Sequence, residues 1–397
     1  MKKHIVLISK DATLPEYFGP YGAKYIKTPN IDELAKKGTV FRKHYTAAPS
    51  TSMAFAAMFT GKFSYQMEYT HYIGVEEYKG RTLFDELYEK GYECHLMWSN
   101  NYIKMAEKYT KCYGRHTIHH DTMKFNQSCG FNTKKILKED RKRDETLAQK
   151  ALMQILAEID TIPYNEKPVF LWIHMPHCII GRIAYGDDID IFDTLIGEIR
   201  KRFGDDNLFV TADHAHMNGT KGKLGYGFDV YDRAARIPLI APRINDSEEI
   251  NFVTSNTQLT EIILNHTVTP LECAFCDSAY FAQPNRKLAI IKDKYYYIFN
   301  KLSNTEELYD MELDPTQQIN LLKPFGWDDK DRLCITDVRQ VIQYPYWDVI
   351  NSIAKDFREK RLEIWKRGPK MLEFKLKWKY YRVKFGYYRK GLLKKMG

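Results

Sequence analysis

The chain predicts an α/β fold: a mainly parallel, doubly wound sheet with a small antiparallel β appendage toward the C-terminus. Three observations carry this. Short apolar runs alternate with stretches of helical periodicity, the pattern of a parallel sheet covered on both faces. Two of these runs, His4-Ile5-Val6-Leu7-Ile8-Ser9-Lys10-Asp11 and Asn207-Leu208-Phe209-Val210-Thr211-Ala212-Asp213-His214, lead straight into a carboxylate. Around 288–300 the pattern changes to two β runs hinged on Lys292-Asp293-Lys294.

In chain order, residues 4–9 read as a buried strand. A helix over 29–37 has Pro29 in its first turn and Gly38 as its stop. The small and apolar residues 52–60 favour a helix closed by Gly61. Helix 81–90 leads through Gly91 into strand 92–98. Helix 143–159, strand 168–174, amphipathic helix 187–203, strand 207–212 and strand 237–241 follow. No internal repeat is present.

At 397 residues, with 44% hydrophobic and 28% charged residues, the chain has ample material for a core. No apolar stretch reaches the roughly 18 residues that a spanning helix needs, and no signal-peptide pattern opens the chain. The seven cysteines (94, 112, 129, 178, 273, 276 and 334) are scattered and odd in number, against a secreted disulfide framework. Cys273 and Cys276 form a C-x-x-C with no second pair to complete a zinc site, and read as two reduced thiols. These features predict a cytosolic protein. The net charge is +9, and the segment from Met371 onward carries +8 of it, nine cations against Glu373, so the body is close to neutral.

In open α/β sheets, ligands and catalytic groups collect at the carboxyl ends of strands. Asp11, Asp213 and His214 are delivered there from separate strands, and two carboxylates with an imidazole read as hard metal ligands. Thr51 opens the 52–60 helix after Ala47-Ala48-Pro49-Ser50. A hydroxyl at a helix N-terminus lies among free backbone N–H groups, where it can hold and attack a tetrahedral anion; an ordinary N-cap is the competing reading.

With these residues in place, the chain resembles the sulfatase-like branch of the alkaline phosphatase superfamily, over nearly all of residues 4–325. Val6 to Asp11, closed by Gly19-Pro20-Tyr21-Gly22, is similar to the family's first metal-binding strand and loop. Thr28-Pro29-Asn30-Ile31-Asp32-Glu33-Leu34-Ala35 with Gly38-Thr39-Val40-Phe41 is similar to T-P-N-[IL]-D-x-L-A-x-x-G-x-x-F. Thr60-Gly61 resembles the close of the nucleophile helix, and Val210-Thr211-Ala212-Asp213-His214 the V-T-S-D-H strand end. Tyr231-Asp232-Arg233-Ala234-Ala235-Arg236-Ile237-Pro238-Leu239-Ile240 resembles Y-E-E-x-x-R-V-P-L-I. Glu307-Leu308-Tyr309-Asp310, with Asp314-Pro315 and Asn320-Leu321, resembles the family's ending.

The departures matter as much. Sulfatases carry a Cys or Ser, oxidised to formylglycine, where this chain has Thr51, and threonine cannot give that aldehyde. Met53 and Phe55 replace the Pro/Ala and Arg of the C/S-x-P/A-x-R signature. The run after Gly91-Tyr92 lacks G-K-W-H, and Ala12 replaces the second Asp of the usual pair. The remaining set, Asp11, Thr51, Asp213 and His214, is similar to the one-metal site of phosphoethanolamine and phosphoglycerol transferases, which use a Thr nucleophile.

The resemblance implies one divalent ion on Asp11, Thr51, Asp213 and His214, Zn²⁺ or Mn²⁺ in preference to Ca²⁺ because of the imidazole. It implies attack by Thr51, a phospho-threonine intermediate, and a separate acid for the leaving group. His177, in His174-Met175-Pro176-His177, resembles the family's substrate-facing histidine; His216 and Lys223 are further candidates. His174 itself reads as a packed core histidine, and His216 equally as a solvent-facing loop residue. Arg236 reads as orienting a carboxylate or loop. His119-His120 is given no role.

Residues 374–397 interleave Phe374, Trp378, Tyr380, Tyr381, Phe385, Tyr387 and Tyr388 with the cations. Such a segment suits an anionic membrane surface, with a solvated basic helix as the plain alternative and single-stranded nucleic acid as the weaker rival. The expected layout is a catalytic domain over 1–330, with its β subdomain at about 283–330, and a helical, basic-aromatic tail over 331–397. The expected function is transfer of a phospho-substituent from a phosphoester donor, such as a phospholipid, onto a glycan or lipid-linked glycan at the inner face of the plasma membrane. A soluble phosphodiesterase or sulfatase-like hydrolase is the alternative within enzymes. An inactive sulfatase fold used as a membrane- or glycan-binding module is the alternative outside them.

Overall fold

A computed structural model describes residues 3–67, 78, 80–98, 116–122, 139–175, 188–278, 286–322, 344–367 and 378. In chain order the elements are β1 (Ile5–Lys10), α1 (Pro29–Lys37), β2 (Thr39–Tyr45), α2 (Thr51–Thr60), α3 (Leu83–Glu89), β3 (Glu93–Trp98), β4 (Thr117–Asp121), α4 (Glu139–Ile159), β5 (Val169–Met175), α5 (Ile189–Phe203) and β6 (Leu208–Ala212). A short hairpin, β7 (Met217–Asn218) and β8 (Leu224–Gly225), precedes α6 (Asp232–Ala235), β9 (Leu239–Ala241), β10 (Glu249–Ser255) and α7 (Leu259–Asn265). Last come β11 (Ala274–Asp277), β12 (Lys287–Lys292), β13 (Tyr295–Asn300), β14 (Thr305–Asp310) and α8 (Tyr344–Arg367).

Eight strands form the main sheet in the order β10-β2-β9-β6-β1-β5-β3-β4. All neighbours pair in parallel except β9, which runs antiparallel to both β2 and β6. The sheet is therefore mainly parallel, as expected, with one reversed strand inside it. β1 is buried along its whole length because it lies between β5 and β6 near the middle. Its alternate side chains feed two cores. Leu7 packs with Phe55 and Phe59 of α2, Leu83 of α3 and Ile262 of α7 on one face. Val6 and Ile8 pack with Leu34 of α1, Ile155 of α4 and Ile196 of α5 on the other. Helices on both faces make the sheet doubly wound.

Local chemistry explains several boundaries. Pro29 stands at the start of α1, where its missing N–H costs nothing, and Gly38 ends the helix by donating to Leu34 O. Gly61 closes α2 in the left-handed conformation at φ 65°, which glycine adopts freely. Thr82 and Asp85 form a capping box at the start of α3. The strands β2 and β10 were not read from sequence; they pair with each other and close one side of the sheet.

The C-terminal appendage is larger than the expected hairpin. Its four antiparallel strands run β11-β12-β13-β14, with β12 and β13 joined at Asp293 and Lys294. α8 lies against this sheet: Phe357 stacks on Tyr297 at 5.5 Å, and Arg358 and Arg361 both pair with Glu306. Cys273 and Cys276 are buried free thiols there, held protonated by burial. Among the described residues no helix is long and apolar enough to cross a membrane. The basic-aromatic stretch, Trp378 apart, lies outside the described residues, so the expected membrane surface stays a sequence reading.

Candidate active site

β1 and β6 are adjacent and parallel, with Lys10 opposite Ala212. The next residue on each strand is therefore a carboxylate, and Asp11 and Asp213 emerge side by side at the carboxyl edge of the sheet. The chain turns sharply after Asp11 because Ala12 takes a left-handed φ of 50°, a costly conformation for a residue with a Cβ. Hydrogen bonds to the β6 side hold that turn. Ala12 N donates to Asp213 Oδ1 at 3.1 Å, Thr13 N donates to His214 O, and His216 Nδ1 donates to Ala12 O at 2.6 Å.

Thr51 arrives from the other side of β9. After β2, residues 46–50 are pinned at Thr46 N to Ala235 O, Ala47 N to Asn256 Oδ1, and Asp277 N to Ala47 O. They deliver the first turn of α2 to the site. α2 is apolar all round and buried from Met53 to Phe59, so its position is set by the core rather than by solvent. Ser50 is its N-cap residue and makes no side-chain cap bond, so Thr51 sits at the first helical position with its hydroxyl available for other work.

That hydroxyl lies 3.1 Å from His214 Nε2. His214 Nδ1 donates to the Ala215 carbonyl at 2.9 Å, and a carbonyl only accepts. The Nε2 lone pair is thereby directed at Thr51 and the two carboxylates, with Asp11 Oδ1 at 3.6 Å and Asp213 Oδ2 at 3.5 Å. Asp11, Asp213 and His214 offer ligand atoms within 4.8 Å of one another and are all buried. Among the described residues it is the one such set of three.

These residues fit a divalent cation. Asp213 Oδ1 takes the two backbone N–H donors, from Ala12 and His214, whereas its fully buried Oδ2 has no hydrogen-bond partner. A buried carboxylate oxygen in that condition is costly unless a cation meets it. Burial, and then the Asp11 charge, push the Asp213 carboxyl up to about 6. Two carboxylate oxygens, one imidazole nitrogen and a nearby hydroxyl suit a divalent ion.

The candidate proton donors fare differently. His177 lies outside the described residues. His216 is fully buried with both ring nitrogens engaged, Nδ1 on Ala12 O and Nε2 accepting from Tyr17 Oη at 3.0 Å. It neither faces solvent nor points at an incoming ester; it clamps the turn that aims Asp11. His216→Gln should lower divalent-metal affinity by about 10-fold, read by titration calorimetry, since residues that orient metal ligands have effects of that size. Lys223 is paired with Asp229 at 2.7 Å and lies over the Tyr231 ring, which draws it toward the hairpin. His174 is a core histidine, as expected: it is fully buried, burial pushes it down to about 3, and Ser9 Oγ hydrogen-bonds its Nδ1 at 2.9 Å. Arg236 bridges Glu16 and Asp232 and so ties two loops together at the rim.

Two features escaped sequence reading. Tyr226, in the glycine-rich segment after β8, covers His214 with ring centroids 4.7 Å apart. Lys10 forms a buried ion pair with Asp188 at 2.8 Å, bracing the strand end just before Asp11 against the start of α5. The glycines at 219, 222, 225 and 227 gave a signal for a tight hairpin, but nothing marked what it covers.

Residues 3–178 match the Sulfatase family model. The chain is 22% identical to the choline-sulfatase of Rhizobium meliloti (strain 1021), over 92% of this chain and 90% of that protein. Among solved structures it is similar to the 2-O GAG sulfatase BT1596, with a TM-score of 0.66 at 14% identity, covering 91% of this chain and 92% of that one. It is similar as well to the phosphonate monoester hydrolase of Agrobacterium radiobacter, with a TM-score of 0.63 at 14% identity, covering 91% and 96%. The family match covers residues 3–178, and the structural likenesses show that the chain shares the fold of these sulfatases and phosphonate monoester hydrolases. At the carboxyl edge of its sheet it places an Asp-Asp-His cluster that could hold a metal ion.

Proposed function

We propose that this chain is a metal-dependent enzyme that transfers or cleaves a phosphoester group through Thr51, of the phosphoethanolamine- or phosphoglycerol-transferase kind. The observation that carries the reading is the Thr51 hydroxyl, set at the first position of a buried helix and 3.1 Å from the ligating nitrogen of His214. Phe55 supports it from the neighbouring turn. Where the resemblance expects an Arg, its ring meets Trp172 and His174 edge-on, each at 4.7 Å, and leaves no charge there for a formylglycine-type site.

A divalent ion bound here would polarise the ester and lower the pKa of the nearby hydroxyl. Asp11, Asp213 and His214 would hold it, and the His216 clamp aims Asp11. Thr51 Oγ1 attacks phosphorus, the bond to the leaving alcohol breaks, and a phospho-threonine remains for water or an acceptor alcohol to resolve. The free N–H groups of the first turn of α2 face the transferring anion. The leaving alcohol needs a proton; His177 is the proposed source, because His216 and Lys223 are otherwise engaged.

A phospholipid donor and a glycan acceptor at the cytoplasmic membrane face would suit the basic-aromatic stretch beyond Met371. Incubation with phosphatidylethanolamine or phosphatidylglycerol vesicles, followed by peptide mass mapping, should find the head-group phosphate on the peptide containing Thr51. An adduct on Ser50 or Ser52 instead would refute the assignment of the nucleophile.

Sulfate-ester hydrolysis is the second reading, and the family match over residues 3–178 and the choline-sulfatase similarity support it equally. Turnover of an aryl sulfate with no phosphoryl adduct would select it. Absence of about one divalent ion per chain in the purified protein would point to a binding module.

A further inference from the structure

β4 is an edge strand of the main sheet, and α4 covers one of its faces. On that face the parallel register of β3 and β4 sets His95 opposite Ile118, two residues before His120 on the same side. The four polar groups there form a chain. Glu93 Oε1 lies 2.7 Å from His95 Nε2, His95 Nδ1 lies 2.9 Å from His120 Nε2, and His120 Nδ1 lies 3.2 Å from Glu158 Oε2 of α4. The imidazoles are sheltered: His95 is 3% exposed.

Proton counting shows what this chain lacks. Its three hydrogen bonds require three protons, but two neutral imidazoles between two carboxylates supply two. With Glu93 and Glu158 ionised, each takes the outer N–H of its histidine. The two inner nitrogens then face each other with lone pairs converging, and only a positive charge between them makes the contact attractive. Burial lowers the affinity of His95 for that charge as a proton. A histidine that gives its outer N–H to a carboxylate and its inner nitrogen to a cation is the usual arrangement of an imidazole metal ligand, and here it occurs twice, face to face.

We propose that Glu93, His95, His120 and Glu158 build a second cation site, distinct from the Asp11–Asp213–His214 cluster, in which His95 Nδ1 and His120 Nε2 ligate one divalent transition ion. Two nitrogens on one tetrahedral Zn²⁺ lie about 3.3 Å apart, so the observed separation need open by only a few tenths of an ångström. Imidazole donors select Zn²⁺, Ni²⁺ or Cu²⁺ over Mg²⁺ and Ca²⁺. The ion takes the two inner lone pairs, both histidines keep the N–H they give to the carboxylates, and water completes its coordination. It ties the edge strand to β3 and α4.

The test is Zn²⁺ titration of the full chain carrying Asp213→Asn, which disables the first site. The expected result is about one Zn²⁺ bound per chain near neutral pH. Adding His95→Gln or His120→Gln should weaken binding at least 10-fold. No Zn²⁺ bound, or binding that survives both histidine substitutions, overturns the proposal. If the histidine variants fail to fold, Glu158→Gln decides: affinity lowered about 10-fold supports the site and unchanged affinity overturns it. Neither outcome bears on the role of Thr51.

Discussion

Thr51→Ala should abolish turnover of an aryl phosphodiester or lipid head-group donor, lowering kcat by about 10⁴-fold or more, the scale seen when a covalent nucleophile is removed. Structure and stability should barely change. Thr51 occupies the first position of α2 and makes no cap bond, and its hydroxyl has one hydrogen bond, to His214. Loss of that bond costs about 1 kcal/mol. The variant should still bind the divalent ion, because Asp11, Asp213 and His214 are untouched, and should form no phosphoryl adduct. Thr51→Ser should recover much of the activity, since a primary hydroxyl remains at the same position. A Thr51→Ala protein that turned over at the wild-type rate would remove threonine from the chemistry altogether.

Asp213→Asn should produce two opposite effects, and their combination is diagnostic. The metal-loaded enzyme should lose its ion, with a fall in affinity of at least 100-fold and the disappearance of metal-induced thermal stabilisation. The metal-free protein should become more stable at pH 7. Burial and the Asp11 charge raise the folded-state pKa of Asp213 from 3.8 to about 6. A raised acid penalises the folded state at high pH: the penalty is absent below the unfolded value near 4 and complete above about 6. It amounts to about 3 kcal/mol at pH 7, at about 1.4 kcal/mol per unit. Asparagine keeps the Oδ1 acceptor for Ala12 N and His214 N and has no charge to bury. Chelator-treated wild type and variant, melted between pH 4 and pH 8, should converge at the acid end and separate as pH rises. Metal binding to the wild type should likewise weaken as pH falls through 6, where a proton competes for the same carboxylate.

Much of this site was legible because its chemistry sits at strand ends. A run of apolar residues closing on Asp is a local pattern, and the alternation of such runs with helices implied that the two carboxylates would meet at one sheet edge. Helix Pro29–Lys37 could be bounded to the residue because both of its stops are local, Pro29 and Gly38. What could not be read is whatever depends on pairing across the chain. β2 contains Arg42, Lys43 and His44, and its strand character comes from β10, more than 200 residues away. The reversed direction of β9 leaves no trace in the three residues Leu239–Ala241. His216 is a candidate acid from sequence; only the fold reveals that its Nδ1–H is donated to the Ala12 carbonyl, 204 positions earlier. Nothing local marks Lys10 as buried, yet it is enclosed in an ion pair with Asp188, 178 positions later.

The neighbouring placement of Asp11 with Asp213 and His214 has a consequence for biogenesis. Ribosomes add about 5–20 residues per second, so about 10 to 40 seconds separate synthesis of the first candidate ligand from that of the other two. β1 cannot take its place between β5 and β6 until both have been made, and so the nascent N-terminal half has no cation to gain by folding early. Acquisition of the ion belongs to the finished polypeptide. A premature stop anywhere before residue 213 would leave a product that chelates nothing at this centre, however well its first strands and helices collapse.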